Sequence, residues 1–211
     1  FFFKQKTAYE IYQCDWSSDV CSSDLQLKRF VTRVLEATGA TKVDLVGHSE
    51  GTLMPQWYLK YLGGAKRVEN FVGLASAFKG TGVASLGDLV AGVLPDGILP
   101  TGCRSCLQFS PTSRFMKKLH EGGMVQPGVH YTSIVTKYDE LVLPYTNGTL
   151  PGVNNVVLQD VCKQDYSEHF QIASSRNAAQ VVLNALDPEH PRPIRCALVL
   201  PFVGELIPGL L

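Results

Sequence analysis

The sequence lacks any long hydrophobic run. No stretch approaches the roughly 18 apolar residues that a membrane-spanning helix requires. The most apolar tail, after Cys196, is broken by Pro201, Glu205, Pro208 and Gly209. An integral membrane segment is therefore not expected. Nor does either sign of charge dominate: 19 basic side chains face 19 acidic ones, which leaves no electrostatic reason to bind nucleic acid or an anionic membrane surface. Internal repeats and low-complexity tracts are also missing. What the 211 residues do contain is 45% apolar side chains against 18% charged ones, enough for one sizeable core in one domain.

Phe1 to Leu25 stand apart. Written back into codons, Lys4–Glu10 and Asp15–Leu25 resemble the oligonucleotides ligated onto DNA fragments for short-read sequencing. A short index between them would encode Ile11–Cys14, and a poly-T run would give the three opening phenylalanines. The alternative is a polar, serine-rich arm. We read 1–25 as a non-native, adapter-derived segment without the apolar core of a secretory signal, and set it aside from fold reasoning. Cys14, Trp16 and Cys21 go with it. On this reading residues 26–211 are part of a longer domain.

From Gln26 onward the pattern is regular. Leu27, Phe30, Val31, Val34 and Leu35 recur at helical spacing and stop at Gly39, an amphipathic helix. Val43-Asp44-Leu45-Val46 reads as a buried strand ending at Gly47. A helix is expected over about 50–61, with Pro55 kinking it or sitting in its first turns, followed by a strand at Phe71–Ala75. Helix, strand, sharp turn, helix, strand is the grammar of an α/β protein with a parallel sheet. Residues 79–128 differ: a short helix at Val83–Val93, crowded Gly and Pro, and a second short helix capped by Ser110-Pro111 that buries Phe115, Met116 and Leu119. About 50 residues exceed an ordinary crossover, so this reads either as packing between strands or as a cover, lid-like insertion. Strands return at Val129–Tyr138 and Val153–Gln159, the last one, and a final helix runs from Ser175 to Leu186 before Asp187-Pro188.

Gly47-His48-Ser49-Glu50-Gly51 fits G-x-S-x-G, placed between a strand and a helix as a nucleophile elbow requires. The flanking glycines are expected where a Cβ would collide with strand or helix. The turn would lift the Ser49 hydroxyl above the sheet, with the backbone N–H of Glu50 facing a developing oxyanion. A glycine-rich turn without chemistry is the alternative. Serine needs a base, and the base a carboxylate, in the chain order Ser, acid, His. Of five histidines, His48 should point away within the elbow, His120 ends a cover helix, His130 opens a strand, and His190 lies between prolines. His169, in a loop about ten residues past the last strand, is the expected base. Asp139, at the end of its strand, is the expected acid. Glu140 and Asp160 are rivals, while Asp165 and Glu168 are expected to be solvated loop charges.

With these residues placed, the strings VDLVGHSEGTLMPQWYLKYLGG, TKYDELVLPYTNG, VNNVVLQDVC and LNALDPEHPRPIRC make Gln26–Gly204 resemble the C-terminal two thirds of a secreted bacterial lipase/esterase. The resemblance is to α/β-hydrolases of the actinobacterial triacylglycerol lipase type. It implies an α/β-hydrolase fold, Ser49 as acylated nucleophile, His169 as base and then acid, Asp139 as orienter and Glu50 as one oxyanion donor. It implies a second oxyanion donor from an early loop whose motif does not precede Ser49 here. The nucleophile strand would then lack its usual neighbour and expose an apolar edge, so the 211 residues alone are expected to be insoluble or inactive while the complete gene encodes an active esterase.

Cys103, Cys106, Cys162 and Cys196 allow three pairings. We expect Cys162–Cys196, tying the base's loop to the C-terminal segment, and Cys103–Cys106 within the cover, with redox or metal binding at the latter as the alternative. Disulfides favour a secreted protein. Asn147-Gly148-Thr149 matches a glycosylation acceptor but reads as a turn. The expected reaction is ester hydrolysis on a small-molecule or lipid ester, by a monomer, with no metal and no cofactor. An acyltransferase with the same triad and a catalytically inactive hydrolase-fold domain are the alternatives.

Overall fold

Four short strands lie side by side as one parallel sheet in the order β1 (Val43–His48), β2 (Val68–Leu74), β3 (His130–Val135) and β4 (Asn154–Val157). The structure is a computed structural model that describes residues 20–82 and 108–205. The expected helix at Val83–Val93 and both Cys103 and Cys106 lie outside them. Register brings His48 beside Leu74, Leu74 beside Ile134 and Val135 beside Val157. The C-terminal ends of all four strands therefore share one rim, the edge where open α/β sheets gather their reactive groups.

Parallel neighbours need long crossovers; helices lie in those from β1 to β2 and from β2 to β3, and helices cover both faces of the sheet. On one face, Leu27, Val31 and Leu35 of α1 (Val20–Thr38), Leu53, Tyr58 and Leu59 of α2 (Leu53–Tyr61), and Phe115, Met116 and Leu119 of α3 (Arg114–His120) pack with Leu45, Phe71 and Tyr131. On the other, Leu158 of α4 (Leu158–Val161) and Ala178, Val181 and Val182 of α5 (Arg176–Leu186) pack with Val72, Leu74 and Ile134. Phe71 and Val72 are adjacent yet belong to opposite clusters, as the period of two in a strand demands.

Several boundaries differ from the sequence reading. Helix α1, described from Val20 on, extends into the segment set aside, where no glycine or proline between Val20 and Gln26 stops it. The helix expected at 50 starts at Leu53 after a 3-10 turn over Ser49–Thr52, and Pro55 falls in its first turn, where a missing N–H costs nothing. Helix α3 is capped by Ser113 rather than Ser110: the Ser113 hydroxyl accepts the Met116 N–H at 3.0 Å. Strand β3 stops at Val135 and β4 at Val157, where Leu158 turns into α4. Val153–Gln159 is also not the final strand. Val199–Leu200 (β5) and Gly204–Glu205 (β6) form a separate antiparallel pair, each too short to leave a periodic signal. The final helix is as expected, with the Ser175 hydroxyl accepting the Ala178 N–H at 3.2 Å.

The base of the 79–128 segment is sewn to the loop after β3. Lys79 donates its N–H to Asn147, and Gly82 to Leu143, while Thr81 bonds Phe109 through its N–H and Leu141 through its hydroxyl. Asn147 donates its side-chain amide to Gly80 and Leu143 carbonyls at 3.1 and 3.2 Å, a use consistent with a turn. At the far end, the Lys60 ammonium of α2 closes the C-terminus of α3 on the carbonyls of Leu119, Glu121 and Gly123. Desolvation there lowers the Lys60 pKa from its ordinary value.

Candidate active site

Strand β1 ends at His48, and the next residue, Ser49, has φ +53°, a left-handed backbone that a side chain adopts only under local constraint. A Cβ at Gly47 would stand 2.1 Å from the Gly51 carbonyl oxygen, so the strand can fold back onto the following turn only with glycine there. The expectation for Gly51 is corrected: among the described residues a Cβ at that position meets nothing within 4 Å. One glycine, not two, is forced by contact. The Thr52 hydroxyl fastens the turn by donating to the Ser49 carbonyl at 2.6 Å.

The hydroxyl raised by this turn meets the expected partners. His169 Nε2 lies 2.8 Å from Ser49 Oγ, and His169 Nδ1 lies 2.9 Å from Asp139 Oδ1 and 3.1 Å from Oδ2. A carboxylate only accepts, so Nδ1 carries the proton and Nε2 is left to accept from the serine. Both ionisable side chains are 2% exposed. Asp139 Oδ1 also accepts the N–H groups of Leu141 and Val142 at 3.0 and 2.7 Å, which fixes the carboxylate before it touches the imidazole. The three groups come from the turn after β1, from the loop after β3, where Asp139 stands four residues past Val135 and not at the strand end, and from the loop beyond β4, over 120 residues of chain.

Two neighbours join them unforeseen. His48 does not point away: its Nε2 donates to the His169 carbonyl at 2.6 Å, and the two rings lie 5.0 Å apart. Its branch of the strand end simply faces the loop that carries His169. Burial lowers the His48 pKa from its ordinary value, while the bond to the His169 carbonyl pulls the other way. Glu140, weighed as a rival acid, instead accepts the backbone N–H of His169 at 3.0 Å. Asp160, the other rival, pairs with Lys137 at the surface at 2.6 Å.

Asp165 and Glu168 are buried, contrary to the sequence reading. Asp165 accepts from the Ser175 hydroxyl at 2.6 Å, the Asn177 amide at 2.8 Å and the Ser167 N–H at 2.9 Å. Glu168 accepts the N–H groups of Phe170 and Gln171, both at 2.8 Å. Glu168 thus serves backbone donors that no strand or longer helix occupies, and Asp165 serves one backbone donor and two side-chain donors. Cys162 and Cys196 are joined by a disulfide with Cα atoms 5.2 Å apart. Asn177 exchanges two bonds with Ala197, both at 2.8 Å, so the C-terminal segment is also tied to α5.

The remaining histidines stand elsewhere. His120 bonds the Phe78 carbonyl at 2.7 Å, and His130 and His190 face Glu69 and Asp187 at the surface. Among the described residues no group of three His, Cys, Asp or Glu gathers as a metal site, and no helix is long and apolar enough to cross a membrane.

A parallel sheet with helices on both faces, carrying a serine on a strained strand-to-helix turn, defines an α/β-hydrolase fold. Solved structures agree. Aspergillus fumigatus lipase B superposes with a TM-score of 0.64 at 22% identity over 84% of this chain and 44% of its own. Bacillus licheniformis lipase BlEst2 in mature form gives 0.53 at 17% identity over 66% of each chain, and the lin2722 gene product of Listeria innocua 0.53 at 18% over 81% of this chain and 67% of its own. The chain thus spans under half the length of the fungal lipase. A family model described as Lipase (class 2) matches residues 3–182, and the chain belongs to that family. The match takes in most of the segment that back-translation sets apart.

Proposed function

We propose that the protein is a serine hydrolase that cleaves carboxylic esters, a lipase acting through an acyl-enzyme on Ser49. The single observation that carries this is the continuous chain from Ser49 Oγ through the His169 ring to Asp139, at 2.8 and 2.9 Å. Membership of a lipase family supports the substrate class.

In the first half-reaction Ser49 Oγ attacks the ester carbonyl carbon while His169 Nε2 takes its proton. The negative oxygen that forms faces the turn opened by Ser49, and in this reading Glu50 N–H donates to it. The C–O bond to the alcohol then breaks, and the imidazolium returns the proton to the departing alkoxide. In the second half, His169 takes a proton from water, hydroxide oxygen bonds the acyl carbon, and Ser49 leaves with that proton as the free acid is released. Asp139 stays ionised and stabilises the imidazolium.

Apolar surface beside the base suits a lipid-like acyl chain: Phe170 is 61% exposed, and its ring meets the His169 ring edge-on at 5.3 Å. The Cys162–Cys196 bridge suits an oxidising, extracellular setting. The test is turnover of p-nitrophenyl esters of graded chain length by the enzyme expressed from its complete reading frame. Activity should be lost in Ser49→Ala and should favour medium or long acyl chains over acetate. An enzyme equally active without the Ser49 hydroxyl contradicts the proposal.

A further inference from the structure

The base sits on the least regular part of the site. His169 lies in a turn between β4 and α5, outside any strand or helix, so no ladder of backbone bonds fixes its main chain. Its imidazole must nonetheless stay aligned with Ser49 through every turnover, and an error of about 1 Å in such a group can cost about a hundredfold in rate.

Among the described residues, side chains hold both polar groups of the His169 backbone. The carbonyl accepts from His48 Nε2 at 2.6 Å, and the N–H donates to Glu140 Oε2 at 3.0 Å. A carbonyl cannot donate, so His48 Nε2 carries a hydrogen. His48 precedes Ser49, and Glu140 follows Asp139. Each element that contacts the imidazole with one residue therefore grips the main chain of His169 with the neighbouring residue. If the elbow or the acid loop shifts, the backbone of the base is drawn with its side-chain partner, and the spacing between them persists.

We propose that His48 and Glu140 are positioning residues that clamp the backbone of His169 and so keep its Nε2 within reach of the Ser49 hydroxyl. This rests on the assignment of His169 as base. His48 touches no reacting atom in this scheme; it acts through the main chain of its neighbour. Glu140, more exposed, contributes less.

The experiment measures kcat and KM for p-nitrophenyl butyrate, with the rate at which a fluorophosphonate labels Ser49, in the enzyme from its complete reading frame. His48→Leu removes the donor, and His48→Gln restores an N–H at similar reach. Glu140→Leu and Glu140→Gln do the same for the acceptor. We expect kcat to fall about 10- to 100-fold in His48→Leu and about 3- to 10-fold in Glu140→Leu, with KM within about threefold of wild type. Each glutamine variant should return kcat to within about threefold, and labelling should follow kcat. Should His48→Leu not fold, His48→Asn replaces it; its side chain is too short to reach the carbonyl, and it should be slow where His48→Gln is fast.

Equal kcat in the leucine, glutamine and wild-type enzymes overturns the clamp, as does an equal loss in leucine and glutamine variants. A change confined to KM or to melting temperature overturns it too. If the wild type neither turns over the ester nor labels, the triad reading fails and takes the clamp with it. If the wild type does both while the variants are indifferent, the clamp alone fails.

Discussion

Asp139 Oδ1 faces His169 Nδ1 at 2.9 Å while accepting two backbone N–H groups from Leu141 and Val142. In Asp139→Asn those two donors should hold the amide oxygen in the Oδ1 position and put the NH2 in the Oδ2 position, 3.1 Å from Nδ1. A neutral amide cannot stabilise the imidazolium that forms when His169 takes the Ser49 proton, and its NH2 opposes a proton on Nδ1. We expect kcat to drop about 10³- to 10⁴-fold with little change in melting temperature. Steady-state kinetics and thermal denaturation check both halves, and an active variant sinks the assignment of Asp139.

The elbow glycines should behave unequally. Gly47→Ala forces a Cβ to 2.1 Å from the Gly51 carbonyl oxygen and should destabilise by about 1–3 kcal/mol, with loss of activity as the turn distorts. Gly51→Ala meets open space and should leave stability unchanged or raise it slightly. Chemical denaturation of the two variants decides this.

Much of this layout was legible in the sequence. The strand before Ser49, the helix faces of Leu27–Leu35 and Phe115–Leu119, and the alternation of helix and strand behind the parallel sheet all left local signals, whereas the Cys162–Cys196 pair was one of three pairings open to the cysteines. Tertiary roles left none. Asp165 and Glu168 carry the same composition as solvated loop charges, and only the folded chain shows that the Ser175 hydroxyl, the Asn177 amide and bare backbone N–H groups draw them inward. The elbow by itself carries no signal for the direction of His48; the loop 121 residues further on that lies against it sets that direction. Strands β5 and β6 are two residues each, below the length at which alternation can be read.

Burial of Asp165 has a cost that its partners offset. Asp165→Leu strands the Ser175 hydroxyl, the Asn177 amide and the Ser167 N–H, and should destabilise by about 3 kcal/mol or more. Asp160→Ala, which removes a carboxylate from the surface pair with Lys137, should produce no measurable change. Urea midpoints of both variants test the contrast; a similar midpoint for the two contradicts it.

The disulfide closes a loop with a sequence separation of 34. Loop-closure entropy for a loop of that size gives about 3–4 kcal/mol, so Cys196→Ser or a reductant should lower the melting temperature by several degrees. Thiol titration should find no free thiol at Cys162 in the oxidised protein and one in the Cys196→Ser variant.

Stability should also depend on pH through His48. Burial depresses its folded pKa, while the unfolded chain titrates near the ordinary imidazole value of about 6.5. Between those two values the unfolded state binds the extra proton, so stability rises with pH there. The contribution is fully present above about 6.5 and is lost as pH falls toward the folded pKa. His48→Gln removes the titrating group and should flatten the melting temperature over pH 7.5 to about 5.5 relative to wild type. Parallel curves for the two proteins contradict this.

The central claim concerns one oxygen atom. Mass spectrometry of the enzyme from its complete reading frame, after treatment with a fluorophosphonate, should locate a single covalent adduct on the peptide bearing Ser49. The adduct should vanish in Ser49→Ala and form far more slowly in His169→Ala. A wild-type enzyme that hydrolyses esters yet carries no adduct at Ser49, or one that labels as fast without His169, contradicts the account.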